Sequence, residues 1–410
     1  MRILHTADWH LGRKIHDIDL LPIQKQFLQW LLQTLQDQQV EILIVAGDIF
    51  DTGTPSNEAR KAYYDFLTKA QLTCCKNIVI VGGNHDSPSN LDAPRELLAS
   101  LNIHVVGGTT QPIEDEIINI KDAQQNTRLV VLAVPFLREK DVQYATHISE
   151  ERSKREQRVK DAIKAHYHTL SQIVTQRNYP TEVPLLATGH LFAQNSETSE
   201  SEKDIYVGNL GQIGAEEFPE NIDYVALGHL HRPQRVGGKE HVRYAGSPIA
   251  LSFSEIKDKK QVLILDFDAQ KKLQISPIEI PIFQKMVQIK GKSIEEVQNK
   301  MKEKLSTESK EEIWIDLQIQ SETWLFKADQ TLKEWAKTQN TQWRILRTMI
   351  KNTQGINPFA ANHLHTQTLI TLTEEDVFVK FCEKNAVSPD ETNQMLPLIT
   401  LLKNMNLEDL

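Results

Sequence analysis

Cysteine is scarce in this chain: three among 410 residues, Cys74, Cys75 and Cys382, two of them adjacent. Such a set excludes a disulfide framework and has no zinc-ligand spacing, which agrees with a reducing compartment and with buried, inert thiols. Long apolar runs are missing too. No segment approaches the ~18 uncharged apolar residues needed to span a membrane, so a soluble protein with no membrane partner is expected. The opening, MRILHTADWH, lacks a basic region followed by a long apolar stretch. No signal peptide is therefore expected, and the cytoplasm is the expected compartment. Positive charge is also in short supply, with 46 Lys and Arg against 55 Asp and Glu and a net charge of -9. That argues against a generally basic nucleic-acid binder and leaves room for a local basic face or a cation-filled cleft. The phosphate-cradling pattern G-x-x-x-x-G-K-[ST] does not occur, so any dependence on ATP has to come from a partner.

What remains is an ordinary globular composition, 40% hydrophobic and 25% charged, long enough for two or three domains. Short runs of Val, Ile and Leu bounded by turn or polar residues read as buried strands. Five of these share an ending. RILHTA leads into Asp8 and His10, EILIVAG into Asp48, NIVIVGG into Asn84, His85 and Asp86, VPLLATG into His190, and DYVALG into His229 and His231. Glycine before several of these residues lets the backbone turn tightly, and the C-terminal ends of strands are where layered α/β sheets bind ligands. Between the strands lie helical patterns. LLPIQKQFLQWLLQTLQDQQ places Ile23, Phe27, Leu31 and Leu35 one turn apart, and SNEARKAYYDFLTKA and EERSKREQRVKDAIKAHYHTLSQIV read similarly. The expected fold is a layered α/β arrangement.

His229 and His231 belong to one of three H-x-H patterns among 14 histidines, and roughly half such a pair is expected by chance, so the motif alone is weak. In an extended segment residues two apart point to one side, so GHLH is suited to aim two imidazoles at one spot. His166 and His168 fall in a helical pattern, where residues two apart diverge by about 200°, and His363 and His365 follow no strand. Context favours GHLH. Asp8, His10, Asp48, Asn84, His190, His229 and His231 then make seven N/O donors without sulfur, a set suited to Mn²⁺, Fe²⁺ or Zn²⁺ and too large for one ion with open positions. Two ions ~3.5–4 Å apart can clamp the attacking and leaving oxygens of an in-line displacement at phosphorus. Hydrolysis of a phosphate ester is the expected chemistry. His85, beside Asn84, is placed to bond the phosphate or to protonate the leaving alkoxide. Asp51 could hold its tautomer, and Asp86 competes for the acid role. Any one of these residues alone reads as a turn or cap residue; five strand ends carrying them together do not.

In order, D-x-H, GD, GNHD, GH and GHLH resemble the motifs of the calcineurin-like metallophosphoesterases. The longer stretches MRILHTADWHLG, VAGDIFDTGTP, ATGHL, ALGHLHRPQ and HVRYAGSPIALSF resemble the SbcD-type nucleases within that superfamily. The resemblance implies a β-sandwich flanked by helices. It implies that Asp8, His10 and His231 hold one Mn²⁺ and Asn84, His190 and His229 the other, with Asp48 bridging, His85 as transition-state histidine and Mg²⁺ or Fe²⁺ as alternative ions. An acidic residue at the Asp51 position is common in the superfamily, whereas relatives of the nuclease can carry histidine there. Exonuclease action on duplex DNA and endonuclease action on single strands and hairpins are further implications. So are a homodimer within a heterotetramer and an ABC/SMC-type ATPase partner resembling SbcC.

The expected division is a nuclease domain over residues 1–285, a small α/β capping domain over 286–355 and a linker with a helical partner-binding motif over 356–410. In the capping segment Ile313, Ile315, Leu317 and Ile319 alternate as on one strand face, and Arg344, Arg347 and Lys351 are candidate phosphate contacts. The resemblance implies that this domain helps to bind and select DNA. The tail after residue 370 has eight Asp and Glu against three Lys, which disfavours direct DNA binding. Its two short apolar helices, Val377–Phe381 and Met395–Leu402, need a surface to dock on. The stretch AQNSETSESEKD, 193–204, reads as a surface loop near the site. Two rival readings are a phosphoesterase for small substrates and a non-catalytic scaffold.

Overall fold

The computed structural model describes residues 1–138, 152–193, 213–305, 311–321, 327–339 and 342–352, with isolated positions elsewhere, including some between 378 and 397. The apolar runs at the start of the chain lack polar alternation because both of their faces are covered, as in parallel strands of layered folds. Strand β1 (Arg2–Thr6) is followed by a short hairpin of β2 (Lys14–Ile15) and β3 (Ile18–Asp19), then by α1 (Leu21–Asp37), β4 (Ile42–Ala46), α2 (Asn57–Ala70) and β5 (Asn77–Val81). Two short helices, α3 (Pro88–Asp92) and α4 (Arg95–Ala99), lead to β6 (Ile103–Val106), and β7 (Ile117–Lys121) pairs antiparallel with β8 (Thr127–Leu132). Helix α5 (Arg152–Gln176) precedes β9 (Leu185–His190), β10 (Tyr224–Gly228), β11 (Gln234–Arg235) and β12 (Val242–Tyr244). Strands β13 (Gln261–Phe267) and β14 (Leu273–Glu279) complete a compact unit, Met1–Phe283.

This unit holds two six-stranded sheets, in the orders β14-β13-β1-β4-β5-β6 and β11-β12-β10-β9-β8-β7. Alternate residues of the first, Ile3, Ile42, Ile44, Val79 and Val81, pack against Leu129, Val131, Leu186 and Ala226 of the second. On its other face the second sheet buries Val130, Leu132 and Val225 against Val159, Ile163, Tyr167 and Leu170 of α5. The predicted stripe of α1 is buried at Ile23, Phe27, Leu31 and Leu35, and Trp9 meets Phe27 and Phe66 edge-on, at ring distances of 6.1 and 5.2 Å. Ser56 caps α2, its Oγ accepting from Ala59 N at 3.2 Å. The layered α/β sandwich is thus the expected one. Strands β1, β4 and β5 are parallel neighbours, as are β9 and β10, so their C-terminal ends open in common directions.

The second unit spans Gln284–Leu410. Strands β15 (Lys285–Gly291), β16 (Ile313–Ser321) and β17 (Trp343–Asn352) form a parallel sheet in that order, connected by α6 (Ile294–Lys304) and α7 (Ala328–Thr338). Ile313, Ile315, Leu317 and Ile319 share one buried face with Val297, Met301, Leu332 and Ala336 of the helices, as their alternation predicts. Asp316, on the other face, is buried and receives both Nε and Nη2 of Arg347, at 2.6 and 3.1 Å. Most of the 356–410 segment, His363 and His365, and nearly all of the 193–204 stretch lie outside the described residues.

Candidate metal centre

Each strand of the predicted five ends at one cluster, and main-chain hydrogen bonds tie the loops that follow them. The loop after β1 is bonded to the loop after β4: Asp8 N donates to Gly47 O, His10 N to Asp48 O and Leu11 N to Ile49 O, at 2.9–3.0 Å. Gln24 of α1 clamps the same loop, its Nε2 donating to Trp9 O and His10 O while its Oε1 accepts from Gly12 N. Asp86 joins the loops after β4 and β5: its two oxygens accept from Ile49 N, Phe50 N and Gly83 N at 2.9–3.0 Å. Those bonds occupy the carboxylate in structure, away from the acid role it competed for.

Within this frame Asp8, His10, Asp48 and His229 all have positive φ, 54°, 45°, 49° and 101°. Non-glycine residues rarely adopt such angles, and clusters of them mark sites where the surroundings enforce a special geometry. Gly47 also has positive φ, 88°, and a Cβ there would run into the His190 ring; one at Gly83 would run into Asp48. The glycines in GD and GN thus permit close approach of neighbouring loops.

The side chains converge. Asp48 Oδ2 lies 3.4 Å from His10 Nε2 and 3.3 Å from His190 Nε2, and its Oδ1 accepts from His85 N at 2.9 Å. Asn84 Oδ1 lies 2.9 Å from His190 Nε2 and 3.2 Å from His229 Nδ1. Asp8 Oδ1 accepts from His229 N at 2.9 Å. His10 Nε2 and His231 Nε2 are 3.2 Å apart. All seven predicted donors therefore meet in one place, buried except for half-buried Asn84. His229 and His231 do not aim at one spot: β10 ends at Gly228, His229 turns into the left-handed region, and the two rings face Asn84 and His10 respectively. The strand argument for GHLH fails because the strand stops at Gly228, before either histidine. The second H-x-H pair diverges on its helix as expected, His166 bonding Glu116 at 2.6 Å while His168 is exposed.

The polar atoms fit a divalent cation. A carboxylate only accepts, so Glu255 Oε1, 3.4 Å from His231 Nδ1, places a proton on that nitrogen. Asp51 Oδ1, 3.3 Å from His10 Nδ1 though short of hydrogen-bond alignment, favours the same tautomer. With both rings neutral, two Nε2 lone pairs would face each other at 3.2 Å; a proton on one Nε2 turns the contact into a hydrogen bond, and although burial opposes it, Asp48 and Asp51 raise the pKa of His10. The same separation is close to the ~3 Å between two nitrogens bound at right angles to one ion at ~2.1 Å. Asp8 Oδ2 and His229 Nε2 are buried without a hydrogen-bond partner. Asp8, His10 and His231, and separately Asp8, Asp48 and His190, each offer donor atoms within 4.8 Å of one another.

The electrostatics agree. Burial pushes the Asp8 carboxyl up, with His190 opposing and Asp48 reinforcing. Against burial, His190 and His10 hold Asp48 well below the usual carboxylate range. Burial also opposes charge on His190, but Asp48 and Asp8 raise it to about 9, and burial brings His231 down to about 4. Buried acids that draw protons onto a histidine call for positive charge in the cluster.

His85 stands beside this centre, its ring 4.7 Å from that of His10. Its Nδ1–H donates to the main-chain oxygen of Asp51 at 2.6 Å. The tautomer-holding group is thus the carbonyl of Asp51; its carboxylate instead meets Arg13 Nη1 at 2.9 Å and the His10 ring. Sequence reading passed over two residues: Gln24, hidden in the polar positions of an amphipathic helix, and Glu255, which in FSEIKDKK looks like any solvated charge.

Comparison with known proteins places these features. The family described as calcineurin-like phosphoesterase matches residues 1–233, and the one described as type 5 capsule protein repressor C-terminal domain (SbcD_C) matches residues 282–386. The SbcD subunit of nuclease SbcCD from Escherichia coli (strain K12) is 33% identical over 378 residues, 92% of each chain. The SbcD subunits of Bacillus subtilis (strain 168) and Rhodobacter capsulatus are 34% and 35% identical, over 65% and 69% of this chain and 66% and 70% of their own. With one family spanning the site and a relative matched along nearly its whole length, the chain belongs to the calcineurin-like phosphoesterases and, within them, to the family of SbcD subunits of nuclease SbcCD.

Proposed function

We propose that this chain is a DNA nuclease dependent on divalent metal, hydrolysing phosphodiesters as one subunit of a complex with an SbcC-like ABC/SMC-type ATPase. The observation that carries it is the pair of facing imidazole nitrogens, His10 Nε2 and His231 Nε2, within a buried Asp/His/Asn cluster in a chain whose relatives are named nuclease subunits. In this reading Asp8, His10 and His231 hold one ion, Asn84, His190 and His229 hold the other, and Asp48 bridges them. Imidazole and carboxylate donors without sulfur suit Mn²⁺, with Mg²⁺ or Fe²⁺ as alternatives. When bound, paired divalent ions supply charge neutralisation at phosphoryl oxygens and lower the pKa of water toward ~7.

The chain's own residues supply orientation and a proton. His190 donates Nδ1–H to Ala46 O at 3.1 Å, which leaves Nε2 as a donor of electrons. His85, with Nδ1–H committed to Asp51 O, presents Nε2 to the substrate; that nitrogen accepts in the neutral ring and donates in the cation. As the cation His85 stabilises the phosphate charge and protonates the leaving oxygen. The Asp51 carboxylate orients His10 from behind and is itself held by Arg13.

The reading extends to exonuclease action on duplex ends, endonuclease action on single strands and hairpins, a homodimer within a heterotetramer, and a 286–355 capping domain that helps to bind and select DNA. The C-terminal helices dock on the ATPase. No described helix is long and apolar enough to cross a membrane, and the three free thiols support the cytoplasm as compartment. The test is cleavage of an end-labelled DNA duplex by the isolated protein with Mn²⁺ or EDTA, alongside a simple phosphodiester. Mn²⁺-dependent cutting that His85→Ala slows roughly 10²–10⁴-fold is expected. Hydrolysis of the simple ester with no cutting of DNA overturns the proposal.

A further inference from the structure

The histidines of the cluster differ in what stands behind their rings. Behind His190 is a neutral carbonyl, Ala46 O. Behind His231 is Glu255, a fully buried carboxylate whose Oε1 lies 3.4 Å from Nδ1, a long hydrogen bond. Its Oε2 accepts from Lys260 Nζ at 2.6 Å, Ser247 Oγ at 3.2 Å and Leu251 N at 3.3 Å. Lys260 is buried as well, and its ammonium also donates to His231 O at 3.0 Å and Ser247 Oγ at 2.8 Å. One ammonium therefore holds both the main chain of His231 and the carboxylate behind its ring. A buried ion pair adds little net stability over apolar residues of similar volume, so stability alone is a weak reason to bury this one against a histidine.

We propose that Glu255, fixed by Lys260 and Ser247, is a positioning residue that holds His231 in the tautomer and orientation of a metal ligand. The inference rests on the proposed reading of His231 as a ligand. Glu255 keeps the proton on Nδ1 and turns Nε2 toward His10. Its negative charge makes the imidazole a stronger electron donor than one backed by a carbonyl. Carboxylates behind metal-bound histidines typically change affinity by about 10–100-fold when removed.

The experiment is calorimetric titration of the metal-free, full-length protein with Mn²⁺, for wild type, His231→Ala and Glu255→Gln, with thermal unfolding of each in EDTA. Wild type should bind two ions and His231→Ala should lose one. Glu255→Gln should bind one ion about 10–100-fold more weakly and keep the other. If His231→Ala keeps both ions at wild-type affinity, the ligand reading beneath the inference fails. If His231→Ala loses an ion while Glu255→Gln keeps both, the positioning role alone is overturned. A Glu255 that serves only the fold would lower the unfolding midpoint in EDTA and leave the Mn²⁺ isotherm unchanged. Should Glu255→Gln not fold, Glu255→Asp decides, since it keeps the charge for Lys260 and draws the carboxylate away from Nδ1; an unchanged isotherm overturns the proposal.

Discussion

His85 and Asp86 are adjacent and serve opposite ends. His85 bonds the Asp51 carbonyl through Nδ1 and, in the proposed reading, offers Nε2 to the substrate, whereas the two oxygens of Asp86 accept from three main-chain N–H groups. His85→Ala should retain both ions, measured by metal content, and lose roughly 10²–10⁴-fold in cleavage rate, the usual worth of a positioned acid. Asp48, within 3.4 Å of both His10 and His190, is different. Asp48→Ala should lose metal pairing together with activity, and two tightly bound ions in that variant would rule out the bridge. A third residue, His5, lies buried with its ring bonded to Tyr224 Oη at 3.0 Å, and burial lowers its pKa from 6.5 to about 3. The folded state then binds the proton less readily than the unfolded one, so its stabilisation is complete above pH 6.5 and is lost as pH falls toward 3. In EDTA, wild type should lose roughly 2–3 kcal/mol more than His5→Gln between pH 6.5 and 4.5, read from urea midpoints. Equal losses would exclude His5 as the sensor.

The loops after the strands, more than the strands, shape the centre. Helix α1 and strands β1, β4, β5, β9 and β10 were legible in the sequence because burial writes apolar residues at periods of 3.6 and 2 or in unbroken runs. What the loops do was not legible. The positive φ of Asp8, His10, Asp48 and His229 comes from hydrogen bonds between the loops after β1 and β4, residues about forty apart in sequence, such as His10 N to Asp48 O. Gly47 shows the cost of disturbing this. With φ of 88° and the His190 ring where a Cβ would go, Gly47→Ala should destabilise by more than ~1 kcal/mol and weaken Mn²⁺ binding. Unchanged thermal midpoint and metal affinity would contradict the packing described.

Every proposed ligand lies within Met1–Phe283, one of the two compact units. A fragment ending at Phe283 should fold, show the same Mn²⁺ stoichiometry as the full chain, and hydrolyse a simple phosphodiester. Loss of either ion from the folded fragment would mean that the second unit completes the centre. Deleting the chain after residue 370 should spare metal-dependent cleavage and abolish stimulation by an SbcC-like ATPase with ATP. Partner binding that survives the deletion would move the docking surface elsewhere.

The sequence by itself determined which residue types reach the ends of which strands, and hence the proposed donor set Asp8, His10, Asp48, Asn84, His190, His229 and His231. Strand length, glycine placement and donor chemistry are local properties and can be read one segment at a time. Only the tertiary structure decided that His229 and His231 face different neighbours, that the Asp51 carbonyl rather than its carboxylate holds His85, and that Glu255 and Lys260 stand behind His231. Those facts depend on distances between segments far apart in the chain, and burial turned ordinary polar residues of SFSEIKDKK into the support of a histidine.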